Sequence, residues 1–373
     1  MEKVSEKKVK VLSISPGLNY CGGVESYLMN YYRNINHHEV QMDFATHSIN
    51  EINYREEIEK NGGKVFLFPK FTLKNIGKLL REIEDFFKKN NDYDIVHCSM
   101  ANASPFYFYY AKKYGIKTRI LHSHQTKYAG TLSHSIRNVP LIYLGKKLST
   151  ASAACTIDAG NFLFKKEKFN IINNAIDVSR FKFNKKTRDR VREKLGINKE
   201  IVLGHLGRME PEKNHEFILN LFNYMTKNEQ NIKLLLVGSG SLKDDIKEKI
   251  LKLNIADKVI IIDDVSNPED YYQAMDIFIF PSYYEGLGIV AIEAQTSGLP
   301  IICNKTLPKD IDITKNIVRL SLDDSYETWT KAIKKASKIQ RKDCSEIVEK
   351  TKFNILKETK KLERYYKDLC TKR

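Results

Sequence analysis

The run DIFIFPSYYEGLGIVAIEAQTSGLPIIC, Asp276 to Cys303, passes through a strand, a turn, a helix and a second strand. Its opening, DIFIFPS, is apolar without alternation, as in a parallel strand buried on both faces. Gly286 and Gly288 break that run and let the backbone approach a ligand closely. A helical pattern follows over Ile289–Thr296, and Gly298 and Pro300 read as its stop and the entry to the next strand. In open α/β sheets a turn at the carboxyl end of a parallel strand is where ligands bind. The helix behind it turns free N–H groups and its positive dipole end toward the same place, a natural phosphate site. Glu285 and Glu293 flank that turn. The plainer reading is a strand–turn–helix with two surface glutamates, and two carboxylates around a glycine turn weigh against it.

Outward from this segment the same alternation covers the chain. Candidate strands are Val9–Ser15, Val40–Ala45, Lys64–Phe68, Asp94–Cys98, Thr118–Ser123 and Ala151–Thr156, then Ile201–Leu206, Ile232–Val237, Val259–Ile262, Asp276–Phe280 and Pro300–Cys303. Helical patterns lie between them, among them Val24–Tyr32, Ile76–Lys89, Phe106–Tyr114, His215–Met225, Leu242–Leu253 and Pro268–Met275. Strand–helix alternation predicts a doubly wound parallel sheet, and 373 residues hold two. The polar stretch Asn173–Arg192 is the expected boundary, giving domains over residues 1–175 and 176–350. Beyond Lys331 the chain is charged and helical, with apolar beats at Val348, Ile355, Leu362 and Leu369 on one face. That face needs a partner, so residues 351–373 are expected to return to the first domain as a helix.

Two further loops carry chemistry. GRMEPEKN, Gly207 to Asn214, follows the first strand of the second half. Gly207 frees the turn, while Arg208 and Lys213 suit a diphosphate, one as a fork and the other as a point charge. PGLNYCGGVES follows the opening strand, with Gly22 and Gly23 ahead of a helix whose first turn holds Glu25. It lacks the dinucleotide fingerprint G-x-G-x-x-G, and no Gly-Lys pair precedes Ser or Thr, which excludes a P-loop.

From GGVES through NNAID, GRMEPEKN and VGSGSLKDDI to PSYYEGLGIVAIEAQTSGLP, the chain resembles the glycosyltransferases of family four, the retaining group with the GT-B fold. It looks closest to the branch that builds capsular, exopolysaccharide or cell-wall glycans. The resemblance implies two Rossmann-like domains with a cleft between them, the donor nucleotide on the second and the acceptor on the first. The E-x7-E pair is Glu285 and Glu293. By the same resemblance Arg208 and Lys213 hold the donor diphosphate beside Gly207. Glu285 with the amides of Gly286, Leu287 and Gly288 reaches the transferred sugar and phosphates, and Glu293 the ribose hydroxyls. Gly22 and Gly23 let the first domain close on the phosphates. The family's first-domain histidine corresponds to His124 in LHSHQT, with His122 two residues earlier; Gln125 stands where an acidic residue or Asn is usual. Gly288 occupies the place of a usual proline. The implied reaction is transfer of a sugar from a nucleotide sugar, UDP-linked before GDP-mannose, to a glycan or lipid-linked acceptor. It needs no metal and no cofactor beyond that co-substrate. A nucleotide-sugar 2-epimerase of similar fold is a rival enzyme, and an inactive sugar-nucleotide-binding subunit a non-enzymatic one.

The formal charge of +16 needs an explanation. Its lysines are dispersed and no nucleic-acid motif accompanies them, which leaves a compositional bias or an anionic membrane surface. No run reaches the roughly 20 apolar residues of a membrane span. The basic N-terminus lacks a secretory cleavage site. Six cysteines, Cys21, Cys98, Cys155, Cys303, Cys344 and Cys370, are scattered without metal spacing, as free thiols in a reducing compartment would be. The expected location is cytoplasmic, peripheral on the inner membrane face if the charge serves a surface. Asn138–Leu148, NVPLIYLGKKL, is weakly amphipathic and could dock on a membrane or an acceptor. The aromatic helix SPFYFYYAKKYG is either core or a wall of the acceptor cleft, and His97, at the end of its strand, and His122 are further candidates for that cleft. Asp92-Tyr93-Asp94 and Asp310-Ile311-Asp312 fit a metal-binding spacing but fall in positions that favour surface carboxylates.

Overall fold

The computed structural model describes residues 8–20, 22–125 and 132–371. The N-terminal segment read for a signal and Cys21 lie outside them. The chain divides into two units. One takes in the chain up to Asn174 together with everything from Ile355 on; the other is Ala175–Asn354.

The first unit is a seven-stranded parallel sheet of β1 (Val9–Ser15), β2 (Val40–Thr46), β3 (Val65–Leu67), β4 (Ile95–Cys98), β5 (Thr118–Ser123), β6 (Ala151–Ala154) and β7 (Asn170–Ile171). Its order is β3-β2-β1-β4-β5-β6-β7. The strand sequence reverses direction between β1 and β4, and the loops after these two strands part there, leaving a crevice. The helix Ile76–Lys89 shows why the layers hold together. Leu79, Ile83, Phe86 and Phe87 recur at helical spacing and are buried on the sheet. Each such side chain contributes roughly 1.5–3 kcal/mol by leaving water.

The second unit repeats the scheme with β8 (Ile201–Leu206), β9 (Ile232–Val237), β10 (Val259–Ile262), β11 (Ile277–Phe280), β12 (Ile301–Asn304) and β13 (Ile317–Leu320). The order is β10-β9-β8-β11-β12-β13, with the reversal between β8 and β11. Apolar clusters cover both faces: Phe278 and Phe280 point into one, Ile277 and Ile279 into the other. That two-sided burial is what the unbroken apolar run of DIFIFPS requires.

The division between the units falls at Asn174–Ala175, inside the polar stretch Asn173–Arg192, and the rest of that stretch folds into helices Val178–Phe181 and Lys185–Lys194 of the second unit. Arg192 is buried there, reaching the carbonyls of Ala274, Asn198 and Glu200. The charged tail is three helices, Tyr326–Ala336, Ser345–Glu349 and Ile355–Thr371. Val348 is buried in the second unit's core, whereas Ile355 and Leu362 are buried in the first unit. Periodicity alone does not reveal that the chain stops between them. The aromatic helix, Ser104–Lys113, is a core element: Tyr107 and Phe108 are fully buried, with Tyr107 hydroxyl 3.0 Å from His47 Nε2, and Tyr109 faces solvent.

Candidate functional site

In the second unit the loops after β8 and β11 flank the reversal of strand order, and two bonds tie them together. Tyr283 N–H donates to the Glu212 carbonyl at 2.9 Å, and the Asn214 amide to the Pro281 carbonyl at 3.3 Å. Asn214 adopts a left-handed conformation (φ 57°), and its side chain caps helix His215–Thr226 by accepting from Phe217 N–H. The loops bring Lys213 and Glu285 into a 2.6 Å ion pair whose side chains are only 15% and 11% exposed. Arg208 is on the same loop but more than half exposed, its guanidinium 3.2 Å from Glu212. An exposed pair of that kind contributes at most about 1 kcal/mol, so Arg208 can leave it for a phosphate at little cost.

Gly288 begins helix Ile289–Thr296 at φ 87°. A Cβ there would sit 2.9 Å from the Phe280 ring, so glycine is required by conformation and by space. The helix opens onto the turn that carries Glu285, Gly286 and Leu287 with no side-chain cap, which leaves its first N–H groups to an anion. Gly207 and Gly238 let the β8 and β9 loops touch, since a Cβ on Gly238 would run into the Gly207 carbonyl.

Glu293 does something different. It is 5% exposed and accepts a 2.7 Å hydrogen bond from the Tyr272 hydroxyl. Burial pushes its carboxyl up to about 7, against the pull of Tyr272 and Arg180 and with a small push from Glu269. Three residues of this site escape a reading of the sequence: Tyr272, His205 and His215. His205 donates Nδ1–H to the Ile279 carbonyl at 2.9 Å and lies under the Gly207 turn, with the His215 ring edge-on at 5.0 Å. Burial keeps both neutral, His215 pushed down to about 4. Asn214 ahead of an apolar helix is a cap signal that the sequence did offer; Tyr272 had none.

In the first unit a cavity of about 330 Å³ lies at the ends of β1, β4 and β5, lined among others by Pro16, Ser99, Asn102, His122, His124 and Asn138. His124 Nε2 is 3.2 Å from Ser99 Oγ, and burial followed by the nearby His97 pushes its pKa down to about 3. The ring is neutral at neutral pH and offers a hydrogen bond to the cavity. His97 does not line this cavity. It is 2% exposed and lies behind His122, with both ring nitrogens engaged in the core. Gly22 precedes helix Gly23–Asn34 with an ordinary φ of −93°, and a Cβ on Gly23 would meet nothing within 4 Å. Gly23 leaves open space, whereas at Gly22 a Cβ would run into the Glu25 carboxylate at 2.0 Å. In helix Leu132–Leu148, Asn138 and Ile142 face the cavity while Val139, Tyr143 and Leu144 are exposed.

The acidic pairs at metal spacing are answered by cations or backbone. Asp92 pairs with Lys10, Asp94 accepts from the Lys10 backbone, Asp310 pairs with Lys352 and Asp312 with Arg319 at 2.7 Å. Among the described residues no group of three or more His, Cys, Asp or Glu could hold a metal, and no helix is long and apolar enough to cross a membrane.

With this geometry in view, known proteins resemble the chain in three ways. The family model for glycosyl transferases group 1 matches residues 187–352. EpsF of Bacillus subtilis (strain 168), which carries a glycosyltransferase name, is 30% identical over 343 residues, 90% of this chain and 89% of that one. The Escherichia coli UDP-Gal:alpha-D-GlcNAc-diphosphoundecaprenol alpha-1,3-galactosyltransferase is 25% identical over 305 residues, 75% of this chain and 77% of that one. Among solved structures, Anabaena HepE in complex with UDP and glucose shares the fold with a TM-score of 0.78 at 15% identity, over 96% of this chain and 100% of that one.

Proposed function

The chain belongs to the group 1 glycosyl transferases, and from that premise we propose that it moves a sugar from a UDP-sugar onto a glycan or lipid-linked glycan with retained anomeric configuration. The main support is the Lys213–Glu285 pair at 2.6 Å beside the uncapped helix that starts at Gly288. A departing diphosphate develops negative charge. Lys213, Arg208 and the amides of Gly286, Leu287 and Gly288 are pre-placed to stabilise it, the largest single means of catalysis in such reactions. Glu285 then meets the sugar's hydroxyls and Glu293 the ribose. With two cations and a helix end on the diphosphate, charge balance requires no divalent ion and no cofactor beyond the co-substrate.

UDP is favoured over GDP-mannose by the Escherichia coli relative's name and by the ligands of HepE. Retention rests on the E-x7-E resemblance. The acceptor belongs to the first unit's cavity, where neutral His124 offers a hydrogen bond that matters in turnover. A lipid-linked acceptor fits the apolar face of Val139, Tyr143 and Leu144, flanked by Lys146 and Lys147, and a peripheral place at an anionic membrane. A thermal-shift screen of nucleotide sugars tests the donor. One UDP-sugar at a hundredfold its dissociation constant should add about 2.7 kcal/mol to stability. Stabilisation by GDP-mannose alone would overturn the UDP assignment.

A further inference from the structure

Tyr272, on helix Pro268–Ala274, is fully buried, and its hydroxyl lies 2.7 Å from Glu293 Oε2 on helix Ile289–Thr296. Its ring is held edge-on to Phe181 at 5.9 Å and tilted against Phe278 at 5.7 Å. Its carbonyl is held as well, by Arg341 at 3.0 Å. The hydroxyl therefore reaches Glu293 from a place set by packing. The other charges that face Glu293 are Arg180 and Glu269. Arg180 Nη2 is 3.0 and 2.9 Å from the two Glu269 oxygens, so these two answer each other. Among the described residues that leaves Tyr272 as the hydrogen-bond donor to the Glu293 side chain.

An ionised carboxylate only accepts, with about four lone-pair sites on its two oxygens, whereas the protonated form turns one oxygen into an O–H. Two neighbouring ribose hydroxyls need acceptors, so the ionised form is the one that suits them. Burial works against that form and the Tyr272 bond works for it. The bond also fixes Oε2. Oε1 has no such bond among the described residues, and it is not one of the polar atoms sealed from solvent without a partner. It is the oxygen open to a ligand.

We propose that Tyr272 is a positioning residue for the nucleotide, its hydroxyl holding Glu293 in the ionised form that receives the ribose hydroxyls. The ribose half rests on the assignment of Glu293 to the nucleotide; the coupling of the two side chains stands without it. Glu293 carries its charge above about 7 and loses it below, so affinity for UDP should rise with pH through that point. Tyr272→Phe keeps the packed ring and removes the one hydrogen bond. Losing a hydrogen bond to the charged form should carry the midpoint to about 8 or above.

The test uses the full chain. Infrared spectra without ligand follow the C=O stretch of the protonated carboxyl from pH 5 to 9, the Glu293 band being the one lost in Glu293→Gln. Its midpoint should lie near 7 in the wild-type chain and higher in Tyr272→Phe; an equal midpoint would overturn the coupling. Calorimetry with UDP on the three proteins then covers pH 6 to 9, with Glu293→Gln as the reference for the titration of UDP itself. Tyr272→Phe should bind about fivefold more weakly than wild type at pH 7 and recover most of that loss by pH 9. Equal loss at both pH values would mean that Tyr272 acts through packing alone, and would overturn its positioning role. If wild type and Glu293→Gln share one pH profile while the infrared midpoint still moves, the ribose assignment fails and the coupling survives.

Discussion

Glu285 and Glu293 are eight positions apart and live in opposite electrostatic surroundings. Glu285 faces a lysine at 2.6 Å, whereas Glu293 is buried against a tyrosine hydroxyl. Glu293→Ala should therefore weaken binding of free UDP itself. Glu285→Ala should leave UDP affinity nearly intact and reduce binding or turnover of the whole UDP-sugar. Calorimetry with UDP and UDP-glucose on both variants separates them, and equal loss of UDP affinity would abolish the division of labour. The raised pKa of Glu293 adds a pH dependence. Its carboxyl moves from an ordinary 4.5 to about 7, so the folded chain holds the proton more tightly than the unfolded one. Stability should accordingly fall as pH rises from about 4.5 through 7 and level off above. Glu293→Gln should remove a slope worth on the order of 3 kcal/mol in urea unfolding between pH 5 and 8. The two glutamates, Lys213 and Arg208 were readable from residue type and spacing. Tyr272 was not, because a tyrosine in a helix gives no sign of which carboxylate it will meet across the fold.

The helix Ile289–Thr296 has to hold its N-terminus against the turn, and both of its ends are fixed. At the start, Gly288→Ala would impose a left-handed conformation and press on Phe280. It should cost roughly 1–3 kcal/mol and weaken donor binding together, as denaturant unfolding and calorimetry would show. At the far end, Arg341 is bonded to the carbonyls of Ser297, Gln273, Met275 and Tyr272 at 2.6–3.1 Å. Burial pushes its guanidinium down to about 9. Arg341→Ala leaves those carbonyls unanswered and should destabilise the chain by on the order of 3 kcal/mol. Strands such as Ile201–Leu206 and Ile232–Val237 were readable to the residue, since burial on both faces makes them mostly apolar. The two-residue exposed strand Asn170–Ile171 and the helix KKTRDRVREK were not, one for lack of length and the other for lack of an apolar stripe. The beats at Val348 and Ile355 kept step across a break, because hydrophobic period records that a residue is buried and not which core buries it.

Across the whole molecule the charge of +16 meets an exposed apolar helix face, Val139, Tyr143 and Leu144, with lysines at its end. Flotation with anionic vesicles should recover the protein at low salt and release it at high salt. Absence from the vesicles at low salt would leave the charge as composition alone. Each of the two doubly wound sheets has a point where its strand order reverses, the place where open α/β sheets bind ligands. The central claim is that the second unit activates a UDP-sugar through the Lys213–Glu285 turn without a metal ion. UDP release from a panel of UDP-sugars, with EDTA and without added acceptor, tests it most directly. The expected result is slow release from one donor, lost on Lys213→Ala and unchanged by magnesium or manganese. Release that vanishes in EDTA and returns with the metal, or that survives Lys213→Ala, would contradict it.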